Sequence, residues 1–150
     1  MGYKFIQISN PVTTPFGAVA TGALVPLGTV TARQMCGGCN QPTFTVSTSG
    51  ANTVNLNQFG TYKVTYDASV VATAAGIVTL NLVENGVVIA TASETAAAAG
   101  DTVNLSLSYI LRAFPTYVNG FSTSTTTLQI TNTGGALTSG TSNLIVEQIH

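Results

Sequence analysis

The stretch MCGGCN, Met35 to Asn40, holds both cysteines of this chain, Cys36 and Cys39, at a spacing that invites redox or metal chemistry. A redox Cys-x-x-Cys works because it opens a helix whose N-terminus lowers a thiol pKa. Here the motif stands between two strand-like runs, LGTVTARQM and PTFTVSTS, and no helix follows it. Structural zinc takes four ligands, usually from two such pairs, and one chain supplies two thiols. A zinc site completed by symmetry-related chains stays open as an alternative, as does a local disulfide in a very short loop. The residues favour a plainer reading. The loop is a corner whose small residues tolerate positive φ.

Other reactive groups are sparse. The carboxylates Asp67, Glu84, Glu94, Asp101 and Glu147 occur singly, and the one histidine is the last residue, His150. Acid–base and nucleophilic catalysis need titratable groups gathered together, with a base held by a third group. Neither Gly-Gly pair, at 37–38 and 134–135, opens a phosphate-binding pattern. No catalytic residue, no cofactor-binding residue and no metal ligand is assigned, and the protein is read as a non-enzyme.

What must position any site is an almost chargeless chain. Of 150 residues, 45% are apolar and 6% are charged, with a net charge of −1, so Thr, Ser and Asn must supply most of the wet surface. The apolar share suffices for one folded domain. Lys4, Arg33, Lys63 and Arg112 lie far apart in sequence and form no basic patch, which argues against nucleic acid as a partner. The uncharged run from Phe5 to Ala32 is broken by Pro11, Pro15 and Pro26, which argues against a membrane span. The opening MGYKFIQISN has none of the parts of a secretory signal, so synthesis in the cytoplasm is expected if Met1 is the native start.

β-Branched and aromatic residues alternate with polar ones in short runs, and this pattern predicts strands near 24–33, 43–48, 53–57, 61–72, 77–84, 87–93, 102–113, 126–132 and 143–149. In GTYKVTYDASV, residues Tyr62, Val64 and Tyr66 share one face; in TVNLSLSYIL, Leu105, Leu107, Tyr109 and Leu111 oppose Asn104, Ser106, Ser108 and Ile110. Tyr62, Val64, Tyr66, Leu105, Leu107, Tyr109 and Leu111 are therefore the expected core or subunit-contact residues. Asn85-Gly86 marks a type I′ hairpin. ETAAAAGD is too short for a stable helix and reads as a loop. Residues 1–20, broken by prolines, read as an N-terminal arm or leading edge, with a terminal strand lying on the sandwich as the alternative. Residues 21–150 read as one antiparallel β-sandwich or jelly roll.

The segments LNQFGTYKVTYDASV, VTLNLVENGVVIATA and SNLIVEQI together resemble the trimeric jelly roll of tumour necrosis factor and complement globular heads, in its bacterial and phage branch. That branch includes the C-terminal domains of collagen-like spore-surface proteins. Gly60 and Tyr62 match the Gly-x-Tyr that begins a central strand, and Asn85-Gly86 matches a hairpin further on. Leu144 to Ile149 match the closing apolar strand, and Gly22 to Val30 the opening one. In the last third the pattern departs, because Gly100-Asp101 precedes TVNLSLSYIL and PTYVNGFSTS fills the later loop. The resemblance implies a homotrimer whose function lies in assembly or binding. The leading expectation is a structural protein of a bacteriophage virion, made in the host cytoplasm. A head decoration protein or a short-fibre knob would contact other virion proteins such as the major capsid protein, through the N-terminal arm. The alternatives are a bacterial surface or spore-coat protein of the same fold, and a carbohydrate-binding adhesin module.

Overall fold

Strict alternation along β-prone runs buries every second side chain, and two sheets closed face to face satisfy that requirement. The computed structural model describes residues 4–35, 42–47, 52–118, 121–122 and 124–149, among which there is no helix. Sheet one has the order β2 (Thr29–Gln34), β1 (Lys4–Asn10), β12 (Leu137–Gln148), β5 (Gly60–Ala72), β8 (Thr102–Ala113). Sheet two has the order β3 (Phe44–Val46), β4 (Val54–Leu56), β11 (Thr126–Asn132), β6 (Gly76–Glu84), β7 (Val87–Ala96). The two sheets are antiparallel throughout, and a short hairpin of β9 (Tyr117–Val118) and β10 (Phe121–Ser122) stands apart.

The core lies between the sheets. Ile6, Ile8, Tyr62, Val64, Tyr66, Leu144 and Val146 from sheet one meet Phe44, Leu56, Leu80, Leu82, Leu128 and Ile130 from sheet two, all fully buried. Phe44 and Tyr62 pack edge to face across the gap, with ring centroids 5.9 Å apart, while the Tyr62 hydroxyl donates to the Gln58 carbonyl at 2.8 Å. An aromatic with a polar tip is stable inside when that tip finds a partner.

The β6–β7 hairpin turns on Asn85 and Gly86, with φ of 48° and 82°, as a type I′ turn requires. Asn85 also ties the turn to β11, accepting from the Thr127 amide at 2.8 Å through Oδ1. Strand β7 runs on through Glu94, Thr95 and Ala96, so part of the segment expected as a loop is strand, and the turn begins after it.

Within the first 20 residues, read as an arm or leading edge, Lys4–Asn10 forms a strand with neighbours on both sides. Its partners lie far away in sequence: Phe5 pairs with Glu147 and Ile8 with Leu144. The next segment crosses the start of β12, where the Phe16 and Gly140 backbones exchange hydrogen bonds and Val19 pairs with Leu137. A Cβ at position 140 would stand 2.4 Å from the Phe16 ring, so glycine is needed there. The strand expected at 24–33 starts only at Thr29, because Pro26 and Gly28, the latter with φ of 98°, interrupt the extended chain.

Candidate interaction surface

Tyr62, Val64 and Tyr66 on β5 and Leu105, Leu107 and Leu111 on β8 all point into the sandwich and are buried. Tyr62 lies opposite Leu111, Val64 opposite Tyr109, and Tyr66 opposite Leu107. Tyr109 is half-buried against the core. These side chains form the inner wall, and the intervening positions of the same two strands face outward. Burial raises the Tyr66 phenol above its ordinary pKa, with a smaller opposing effect from the nearby Ser142 hydroxyl. The Tyr66 hydroxyl nevertheless makes no hydrogen bond of good geometry.

Cys36 and Cys39 lie outside the described residues. Among the described residues, no three His, Cys, Asp or Glu side chains are grouped to hold a metal ion.

Part of the outer face of sheet two is tied together by its own hydroxyls and amides, beside the exposed Ile77, Val87 and Val88. Asn81 accepts from Thr91 at 2.8 Å and donates to Thr133 at 2.7 Å, Thr79 and Ser93 hydroxyls are 2.9 Å apart, and Gln129 donates to Thr53 at 2.8 Å. Such cross-strand pairs let a surface with few charges stay satisfied.

One end of the outer face of sheet one is different. Phe59 and Phe114 flank the paired residues Gly60 and Ala113, and their rings meet edge to face with centroids 5.2 Å apart. The Arg112 guanidinium stands 5.2 Å from the Phe114 centroid and 6.0 Å from that of Phe59. Phe59, Phe114 and Ile110 are 55%, 61% and 60% exposed. Ile110 lies opposite Lys63, Lys63 opposite Glu147, and Glu147 opposite Phe5, so the apolar end is crossed by a cationic and an anionic side chain. Ile149, whose amide donates to the Thr61 carbonyl at 2.8 Å, extends the patch. Scattered exposed apolar residues are ordinary, whereas a contiguous group marks a contact surface.

No family model matches the sequence, and no curated protein matches it. Solved structures do. The tumour necrosis factor Eiger of S. frugiperda superposes with a TM-score of 0.69 at 11% identity, over 100% of this chain and 94% of that one. The PRD1 vertex protein P5 gives 0.60 at 15% identity, over 100% of both chains. The globular domain of the zebrafish complement 1qA protein gives 0.62 at 11%, over 99% of this chain and 98% of that one. The chain has the tumour necrosis factor-like jelly-roll fold.

In this jelly roll the exposed cluster was not assigned from the sequence, although a signal for it existed. Ile110 stands at an outward position of β8 among Asn104, Ser106 and Ser108, where a polar residue is the norm. Phe59 and Phe114 lie just beyond strand ends, where alternation says nothing, and it is the β5–β8 register that joins them.

Proposed function

We propose that this jelly roll is a non-enzymatic structural protein of a bacteriophage virion, a homotrimeric head decoration protein or short-fibre knob of the phage branch of the fold. The observation that carries the reading is the exposed end of sheet one, where Phe59, Ile110 and Phe114 surround Arg112. Self-association covers such a face, and the interleaved Lys63 and Glu147 give it charges of both signs to offer a second copy. The full-length likeness to a phage vertex protein supports a place in a virion. Contact with the major capsid protein is part of the reading. With Lys4–Asn10 in the sheet and Phe16 and Val19 buried, the exposed residues around Val12 are what the N-terminal stretch offers a partner.

Light scattering on a size-exclusion peak is expected to give a trimer. The variant Ile110→Glu with Phe114→Glu is expected to give a monomer with an unchanged strand spectrum, since both side chains are exposed in the single subunit. A wild-type monomer at micromolar concentration would remove the self-association reading. Antibody labelling of purified phage particles tests the location, and label confined to a bacterial or spore surface would overturn the virion assignment.

A further inference from the structure

Asn85 and Gly86 turn the β6–β7 hairpin because both tolerate positive φ, and the same pair is prone to a spontaneous reaction. The backbone nitrogen of Gly86, once deprotonated, attacks the side-chain carbonyl carbon of Asn85. A bond forms between that nitrogen and Cγ, the bond from Cγ to Nδ2 breaks, and ammonia leaves with the proton. Water then opens the cyclic imide at one of its two carbonyls, giving aspartate or isoaspartate. The only co-reactant is water. Glycine favours the attack because it has no Cβ to shield its nitrogen, and a Cβ built at Gly86 would meet nothing within 4 Å. Both residues are exposed, so water and base reach the turn.

The structure nevertheless holds the reacting atoms apart. In sheet two, β6 lies between β11 and β7. From the end of β6 the Asn85 side chain reaches to β11, while the peptide leading to Gly86 turns the other way, to β7. Asn85 Oδ1 accepts from the Thr127 backbone amide at 2.8 Å and from the Thr127 hydroxyl at 3.3 Å, and the Asn85 backbone amide donates to the Thr127 carbonyl at 3.0 Å. One residue of β11 therefore grips Asn85 by side chain and backbone together. To bring Cγ over the Gly86 nitrogen, the side chain has to leave both donors.

We infer that Asn85 is a latent modification site, guarded by Thr127 and deamidated only when the β6–β7 turn parts from β11. The reactive pair cannot be exchanged without harming the turn, since φ of 48° and 82° call for Asn and Gly, so the protection has to come from a neighbouring strand. Isoaspartate carries the chain through Cγ, which lengthens the backbone of a tight turn and displaces Val87 from its place opposite Glu84. Aspartate keeps an acceptor for Thr127 but sets a second carboxylate beside the half-buried Glu84. Either product weakens the hairpin, so that one opening makes the next easier. This holds whether or not the protein belongs to a virion.

The test incubates the full chain in mildly alkaline buffer, folded and in urea at the same pH. Peptide mapping by mass spectrometry follows deamidation at Asn85 separately from the second Asn-Gly pair of the sequence, Asn119-Gly120. Breaking both bonds to Oδ1 is expected to slow the reaction in the folded chain by about tenfold or more. Hydrogen exchange of the Thr127 backbone amide is the second measurement. Asn85 Oδ1 holds that hydrogen, so one opening admits both exchange and deamidation, and the two slowing factors are expected to agree within about threefold. Equal deamidation rates in buffer and urea would overturn the inference. A Thr127 amide far better protected than Asn85 would do so too, because the reaction would then proceed with the clamp closed. A Thr127 amide that exchanges freely while Asn85 stays intact would place the protection in the turn backbone and equally overturn it.

Discussion

Replacing Tyr66 by Phe removes a hydroxyl that is buried without a hydrogen bond, and this change should stabilise the protein. Tyr66 is 0% exposed, on the strand at the centre of the core. A buried polar group without a partner costs about 1–3 kcal/mol. The nearby Ser142 hydroxyl offsets part of that cost, and deleting the oxygen leaves a small void, so the expected net gain is about 1 kcal/mol. Tyr66→Ala, by contrast, should lose about 3–5 kcal/mol, because the ring itself fills the core. The pH dependence is an independent check. Burial raises the folded phenol, so the unfolded chain ionises first and holds fewer protons. The Tyr66 contribution is therefore fully present below the ordinary phenol pKa of about 10 and erodes above it, by up to about 1.4 kcal/mol per pH unit. Tyr66→Phe lacks that slope. Urea unfolding at one fixed protein concentration measures both effects, since an oligomer's stability depends on concentration. A Phe variant that is less stable than wild type by about 1 kcal/mol near pH 7 would mean the hydroxyl makes a sound hydrogen bond. Parallel wild-type and variant curves between roughly pH 10 and 11 would refute the burial argument.

Gly134→Ala should lower the melting temperature by several degrees, because its Cβ would lie 2.4 Å from the Thr79 amide nitrogen and 2.6 Å from the Ile77 carbonyl oxygen, backbone atoms that cannot rotate away. The corresponding overpacking cost is about 1–3 kcal/mol. Asn85→Ala should cost about 1–2 kcal/mol in denaturant unfolding, losing both the residue suited to φ of 48° and the acceptor for the Thr127 amide. Cys36→Ser with Cys39→Ser is expected to fold and assemble as wild type; near-stoichiometric zinc in the wild type, lost together with the oligomer in the variant, would contradict the corner reading.

The sequence by itself determined what is local. Period-two alternation shows which positions of 61–72 and 102–113 share a face, because successive side chains of a strand point to opposite sides whatever the strand pairs with. Asn85-Gly86 specified its hairpin for a similar reason, since positive φ at two consecutive residues is a property of those residues alone. Pairing between distant strands has no such local signature. Nothing within LTSGTS says that β12 begins at Leu137, since Gly140 makes sense only under the ring of Phe16. The run KFIQIS alternates well enough for a strand, but its place between β2 and β12 depends on partners at Val30 and Leu144. The surfaces follow the same division. Phe59 and Phe114 become neighbours, and Asn85 comes to face Thr127, only after sheet registers join strands far apart in sequence. Alternation fixes the side of a strand on which a residue stands; the long-range hydrogen-bond ladder fixes what stands beside it.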